Sequence, residues 1–90
     1  MNERLHVVIS GRVQGVGYRY AAYREALRVG ARGWIKNLPD GRVEGLFEGP
    51  APVLQQLLDW CRRGPSAATV SAVEPEWSVC DTPFDTFTIR

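Results

Sequence analysis

A short loop, Val13–Arg19, carries the residues of this 90-residue sequence that are best suited to chemistry. It contains Gly15 and Gly17, follows an apolar run, and ends in Arg19 where a helical pattern begins. Glycine lets a ligand approach the backbone closely because it has no Cβ, and the N–H groups of a first helical turn have no intrahelical acceptor. The planar guanidinium of an arginine adds paired donors that fit phosphate oxygens. The loop is therefore predicted to cradle a phosphoryl group.

Hydrophobic periodicity and turn residues predict the elements that hold this loop. In chain order these are a strand at Leu5–Gly11, a helix at Tyr20–Val29, strands at Ala31–Asn37 and Arg42–Glu48, a helix from Val53 to Arg63, and strands at Ala68–Trp77 and Phe84–Arg90. This β-α-β-β-α-β order with an added C-terminal strand predicts an α+β fold, a ferredoxin-like α/β sandwich in which two helices cover one face of an antiparallel sheet. Residues 1–90 are expected to form a single domain with one modest core.

Composition narrows the class of protein. The net charge is +1, which argues against a partner such as nucleic acid. The N-terminus has no apolar signal core and no apolar run reaches the length of a membrane span, so we expect a cytoplasmic protein without a membrane partner. Cys61 and Cys80 lie 19 residues apart without zinc-ligand spacing, and reduced thiols are expected, with Cys61 in the core.

The loop lacks the residues of the commoner phosphate chemistries. A Walker loop needs Lys followed by Ser or Thr, and a dinucleotide fingerprint needs a third glycine where Tyr20 stands. A cysteine phosphatase would have its nucleophilic cysteine at the position that Val13 occupies in this sequence. The one histidine, His6, is interpreted as a surface residue, and no spacing of carboxylates or histidines suggests a metal site. A site without metal, cofactor or protein nucleophile remains.

Two motifs carry a resemblance to a known family. Gly11–Arg19 resembles the first signature of the acylphosphatases, and Gly33–Asn37, followed by Gly41–Val43 and Gly49, resembles the second. The similarity continues through Gly64–Ala67 to Phe87–Ile89 and so covers essentially the whole sequence. The resemblance implies a ferredoxin-like fold and hydrolysis of the carboxyl-phosphate bond of acyl phosphates to a carboxylate and phosphate.

The resemblance also implies roles for particular residues. Arg19 and Asn37 would be the catalytic pair. Arg19 would bind phosphoryl oxygens together with backbone amides, and Asn37 would hold the attacking water opposite the leaving carboxylate. The amides concerned are those of Gly15, Val16, Gly17, Tyr18 and Arg19. Phosphoryl transfer depends on positioning and electrostatics, so a strong protein base is not required.

The sequence departs from the family pattern at two positions. Tyr18 stands where phenylalanine is more usual, which should be tolerated if its hydroxyl reaches solvent, and Ala22 replaces a threonine found in many relatives. Tyr18, Tyr20 and Tyr23 are interpreted as exposed rings that support the loop and the helix rather than stack on substrate.

Two alternatives to the enzyme are a noncatalytic or accessory acyl-phosphate-binding domain and, less favoured, an RNA-binding module of similar fold. We expect a monomer that acts on a small-molecule acyl phosphate.

Overall fold

The structure, a computed structural model, describes residues 2–80 and 83–90, so residues 1, 81 and 82 of the predicted domain lie outside the described part. Five strands and two helices occur there in the predicted order. Their bounds are β1 Glu3–Arg12, α1 Tyr18–Val29, β2 Arg32–Asn37, β3 Val43–Gly49, α2 Ala51–Arg63, β4 Thr69–Val79 and β5 Phe87–Ile89. Each element overlaps its prediction, and each helix begins two residues before its predicted start, α1 at Tyr18 instead of Tyr20 and α2 at Ala51 instead of Val53.

The five strands form one sheet in the order β4-β1-β3-β2-β5. β1 pairs antiparallel with β3 and β4, and β2 pairs antiparallel with β3. The predicted ferredoxin-like α+β fold is confirmed, with one correction: β5 lies parallel to β2, so the sheet is mixed rather than antiparallel. A parallel neighbour needs a long crossover connection. The chain between β2 and β5 supplies it because that stretch contains β3, α2 and β4.

One face of the sheet packs against both helices. Along β1 the residues alternate between buried and partly exposed, and Leu5, Val7 and Ile9 have no exposed surface. α2 contributes Leu54, Leu57, Leu58 and Cys61, which recur at helical spacing and lie in the same hydrophobic core. Cys61 is therefore a core residue, as predicted.

Two residues that would weaken a strand are explained by their positions. Pro75 lies within β4, which is an edge strand, and edge strands tolerate a residue that cannot donate to the ladder. Gly33 in β2 has φ +132, and a Cβ there would lie 1.8 Å from the main-chain oxygen of Leu46. A side chain at position 33 would thus clash with β3, so the glycine permits the close pairing of β2 and β3.

The turn between β2 and β3 contains Pro39, Asp40 and Gly41. The Leu38 N–H donates to the Arg42 main-chain oxygen at 2.8 Å, and the Gly41 N–H donates to the Leu38 oxygen at 3.2 Å. These bonds fix the backbone just beyond Asn37, the last residue of β2. Within the described residues, neither helix is long and apolar enough to cross a membrane.

Candidate active site

A cleft of about 210 Å³ opens where the N-terminus of α1 meets the ends of β2 and β5. Two of its residues are the predicted catalytic pair, Arg19 and Asn37. The full set of lining residues is Val13, Gly15, Gly17, Tyr18, Arg19, Tyr20, Asn37 and Ile89. Arg19 and Asn37, which are 18 positions apart in the sequence, thus border the same cleft.

The loop before α1 contains two glycines in a left-handed backbone conformation. Gly15 and Gly17 have φ values of +73 and +79, a left-handed conformation that favours glycine. A Cβ added at either glycine would meet no atom within 4 Å, so these positions border open space. The two glycines allow the backbone to take the left-handed conformation, and the absence of side chains leaves room for a ligand.

The N-terminus of α1 is open to the cleft. Gly17 is the N-cap residue, it supplies no side-chain cap, and the first turn contains no acidic residue. The Ala21 N–H donates to the Gly17 oxygen at 3.0 Å, so the N–H groups of Tyr18, Arg19 and Tyr20 have no acceptor within the helix. Such a terminus attracts an anion through free donors and the positive end of the helix dipole.

Arg19 lies beside these N–H groups and is partly exposed. Its Nη1 donates to the main-chain oxygen of Arg90 at 2.9 Å, which orients the side chain from the far end of β5. A cation at a helix N-terminus is unfavourable unless an anion lies close by. A phosphoryl group bound between Arg19 and the amides would offset that repulsion.

Asn37 contributes an amide whose oxygen is unusual. The Oδ1 atom is buried and has no hydrogen-bond partner among the described residues. A buried acceptor without a partner costs about 1–3 kcal/mol. Since Asn37 also borders the cleft, this amide is suited to bind a small polar group that enters there.

Sequence reasoning gave no role to Gln14, which connects the loop to the strand that bears Asn37. Its Nε2 donates to the main-chain oxygens of Leu38 at 2.7 Å and Arg42 at 2.9 Å. Both acceptors belong to the turn after β2. The available signal was a polar amide between Val13 and Gly15, but its partners lie 24 and 28 residues away and could not be read from the sequence.

Tyr18 is placed differently from its prediction. Its side chain is 1% exposed, so the expectation of an exposed ring with a solvated hydroxyl is wrong. The hydroxyl donates to the Cys61 main-chain oxygen at 2.8 Å, and its ring packs on Trp60 with centroids 5.3 Å apart. Burial raises the Tyr18 pKa well above its usual range, so the phenol stays a neutral donor.

Other predicted residues take positions outside the cleft. Val16 packs against the core, leaving only its main chain for a role in the loop. Ala22 is fully buried in the core, so its missing hydroxyl concerns helix packing and not the cleft. His6 is a partly exposed residue on the open face of the sheet, as predicted, with its Nε2 2.8 Å from Glu44 Oε2.

The fold and the cleft together define an α+β protein with a candidate anion site at a helix N-terminus. The family model for acylphosphatase matches residues 5–89. A curated acylphosphatase of Gloeobacter violaceus is 57% identical over 67 residues, which cover 74% of this chain and 72% of that protein. One of Roseiflexus sp. is 53% identical over 74 residues, covering 82% and 80%. The crystal structure of acylphosphatase from Bacillus subtilis superposes with a TM-score of 0.92, 35% identity and 98% coverage of both chains.

The chain belongs to the acylphosphatase family. The resemblance inferred from the two sequence motifs is thereby confirmed.

Proposed function

We propose that this protein hydrolyses the carboxyl-phosphate bond of small acyl phosphates, with Arg19 and loop amides holding the phosphoryl group and Asn37 positioning the attacking water. The acylphosphatase activity follows from membership of the family. The assignment of roles is supported by one observation: Arg19, the open N-terminus of α1 and Asn37 border the same cleft.

The first step is binding of the phosphoryl group. The Arg19 guanidinium and the N–H groups of Gly15, Val16, Gly17, Tyr18 and Arg19 donate to its nonbridging oxygens. These donors are fixed by the loop and the helix before the substrate arrives, so little reorganisation accompanies the reaction. Fixed donors aimed at oxygens that carry charge in the transition state stabilise it more than mobile water does.

The second step is direct attack of water on phosphorus. The side-chain amide of Asn37 holds the water, and its Oδ1, which has no hydrogen-bond partner among the described residues, supplies an unused acceptor for this role. The bond between water oxygen and phosphorus forms as the bond to the acyl oxygen breaks, and that electron pair leaves with the carboxylate. We assign the water proton to a phosphoryl oxygen of the substrate, because a carboxylate is a good leaving group and a strong base is not needed.

The proposed reaction uses neither metal nor cofactor. None of the described residues that border the cleft carries a carboxylate, the side chain that usually anchors a divalent ion beside a phosphate. The loop amides and Arg19 provide the charge neutralisation that such an ion would otherwise supply.

We further propose that residues 1–90 act as one catalytic domain, a cytoplasmic monomer that acts on a small molecule and not on nucleic acid. A net charge of +1 supports this view. Cys61 and Cys80 are free thiols, as predicted, which suits a reducing compartment. The mass of the protein in solution, measured by light scattering, tests the monomer.

The deciding experiment measures benzoyl phosphate hydrolysis without added metal by the wild type, Arg19→Ala and Asn37→Ala. Loss of one positioned group should lower kcat by about 100-fold or more. Arg28→Ala is the matched control, since Arg28 lies on the same helix but pairs with Glu25 outside the cleft. Circular dichroism spectra establish that each variant is folded.

Several outcomes would contradict the proposal. An inactive wild type that still binds inorganic phosphate would favour the accessory binding domain over the enzyme. Wild-type turnover in folded Arg19→Ala and Asn37→Ala would remove both residues from the mechanism. Strong inhibition by EDTA would contradict the metal-free reaction.

A further inference from the structure

Two exposed side chains, Tyr20 and Ile89, border the mouth of the cleft. Tyr20 is 60% exposed and Ile89 is 41% exposed, whereas Val13 and Tyr18, which line the same cleft, are each 1% exposed at most. A phosphoryl group held by the loop amides and Arg19 would occupy the inner part of the cleft. Whatever is attached to that phosphoryl group then projects toward the mouth, where it meets Tyr20 and Ile89.

The Tyr20 ring is supported by a series of rings that leads into the core. It stacks on Tyr23 with centroids 6.3 Å apart, and Tyr23 packs against Phe87 at 6.2 Å. Phe87 in turn stacks on the buried Phe47 at 5.6 Å. The Arg24 guanidinium lies 6.0 Å from the Tyr20 ring centroid. A ring already held in place loses little conformational freedom when a ligand contacts it.

Ile89 is held on the other side by the pairing of β5 with β2. Its Cα partner is Ile35, which is fully buried, and the Arg90 N–H donates to the Ile35 oxygen at 2.8 Å. Because β5 is an edge strand, Ile89 is packed on one side and open to the cleft and solvent on the other. An aliphatic side chain in this position is free to bury apolar surface of a bound molecule.

We propose that Tyr20 and Ile89 form an acyl-binding rim, which gives the enzyme a preference for acyl phosphates with aromatic or branched apolar acyl groups. An apolar acyl group would remove its own surface and that of the two side chains from water, whereas a short polar acyl group would gain little there. This inference rests on the proposed function, since it concerns the leaving part of the same substrate. It also revises the sequence-based interpretation of Tyr20 as a ring that supports the loop and the helix rather than contacting substrate.

The test compares kcat/KM for benzoyl phosphate with kcat/KM for acetyl phosphate. The two substrates differ in intrinsic reactivity, so the measured quantity is the change in their ratio between variants. Tyr20→Ala should lower the benzoyl-to-acetyl ratio by about three- to tenfold, because aromatic contacts are modest at a half-open site. Ile89→Ala should lower it by about two- to fivefold. Tyr20→Phe retains the ring and should retain the ratio.

Leu27→Ala provides the matched control, because Leu27 is a 51% exposed apolar residue of the same helix that does not line the cleft. Its ratio should equal that of the wild type. Inorganic phosphate has no acyl group, so its inhibition constant reports on the cradle alone and should change by less than about twofold in the rim variants.

Failure of the inference differs from failure of the proposed function. An inactive wild type would contradict the function itself. An active wild type whose benzoyl-to-acetyl ratio is unchanged by both Tyr20→Ala and Ile89→Ala would overturn the rim. Rates that fall equally for the two substrates would also overturn it, since the effect would then lie at the phosphoryl end.

Discussion

The side chain of Gln14 and the main chain of Leu38 are joined by a hydrogen bond of 2.7 Å between Nε2 and the carbonyl oxygen. The same Nε2 donates to the Arg42 carbonyl oxygen at 2.9 Å. One amide thus bridges both sides of the turn that follows Asn37. The loop that would hold the phosphoryl group and the strand that would hold the water are therefore fixed relative to each other.

Replacing Gln14 should separate positioning from binding. Gln14→Ala removes both hydrogen bonds, and Gln14→Glu directs a carboxylate at two carbonyl oxygens. Because a displacement of about 1 Å can lower turnover 100-fold, we expect kcat for benzoyl phosphate to fall by about tenfold or more. The inhibition constant of inorganic phosphate should change little, since the loop amides and Arg19 remain.

Gln55→Ala serves as the control for Gln14, because Gln55 is an exposed residue of α2 whose amide donates to Asp59. A purely structural role for Gln14 would lower the melting temperature of the variants while kcat at 25 °C stayed at the wild-type value. Unchanged kcat in both Gln14 variants would rule out a positioning role.

A second prediction concerns the hydroxyl of Tyr18. The Cys61 carbonyl belongs to the last turn of α2, where carbonyl oxygens lack helical partners, and Tyr18 supplies a donor at 2.8 Å. Tyr18→Phe leaves that buried carbonyl without this donor, so the free energy of unfolding should fall by about 1–2 kcal/mol. Urea denaturation measures it.

Tyr20→Phe is the matched comparison for Tyr18→Phe, since Tyr20 is exposed and its hydroxyl can bond to water. It should leave the free energy of unfolding within about 0.5 kcal/mol of the wild type. Equal stability of the Tyr18→Phe variant and the wild type would mean that the buried hydrogen bond contributes nothing to folding.

The order of the elements could be predicted from the sequence because each depends on local signals. The alternation of Leu5, Val7 and Ile9 specifies a strand with one buried face, and Gly30 ends the first helix with a positive φ. The parallel pairing of β5 with β2 had no local signal. A strand of three residues shows little hydrophobic periodicity. Which strand it pairs with depends on tertiary contacts, such as that of Phe87 with Phe47.

The candidate site was predictable to the extent that it lies in continuous motifs. The structure brings Arg19, the loop glycines and Asn37 to one cleft, as the resemblance implied. The burial of Tyr18 was missed because an aromatic residue at a helix start can face either side, and only the position of α2 decides which. The contacts of Gln14 were missed for the same reason, since its partners lie in a distant turn.

A third prediction concerns stability in acid. A hydrogen bond with His6, and then the hydrogen bond and the charge of Lys36, hold the pKa of Glu44 below its usual range. A carboxyl group whose pKa is lower in the folded state stabilises the fold above the unfolded pKa of about 4.3, and this contribution is lost as the pH falls through the folded pKa. Glu44→Gln should therefore be less stable than the wild type at pH 7, and the difference should shrink toward pH 3.

The size of the Glu44 effect should be small, about 1 kcal/mol or less at pH 7, because the side chain is partly open to solvent. Urea unfolding curves at several pH values between 3 and 7 measure it. Glu74→Gln on β4 is the control, an exposed glutamate opposite Val8 in the neighbouring strand. A stability difference between Glu44→Gln and wild type that is constant with pH would contradict the titration of Glu44 as its cause.

The fourth prediction uses the two thiols to report on the core. Cys61 is fully buried, and burial raises the pKa of its thiol to about 12, so almost no reactive thiolate forms at pH 8. Cys80 is only partly buried, although burial also raises its pKa. We expect the native protein to react with one equivalent of DTNB at pH 8, and the protein in denaturant to react with two.

Cys80→Ser should remove the reaction of the native protein with DTNB, whereas Cys61→Ser should retain it. Two equivalents that react at the same rate in the native state would mean that α2 opens far more readily than its place in the core allows.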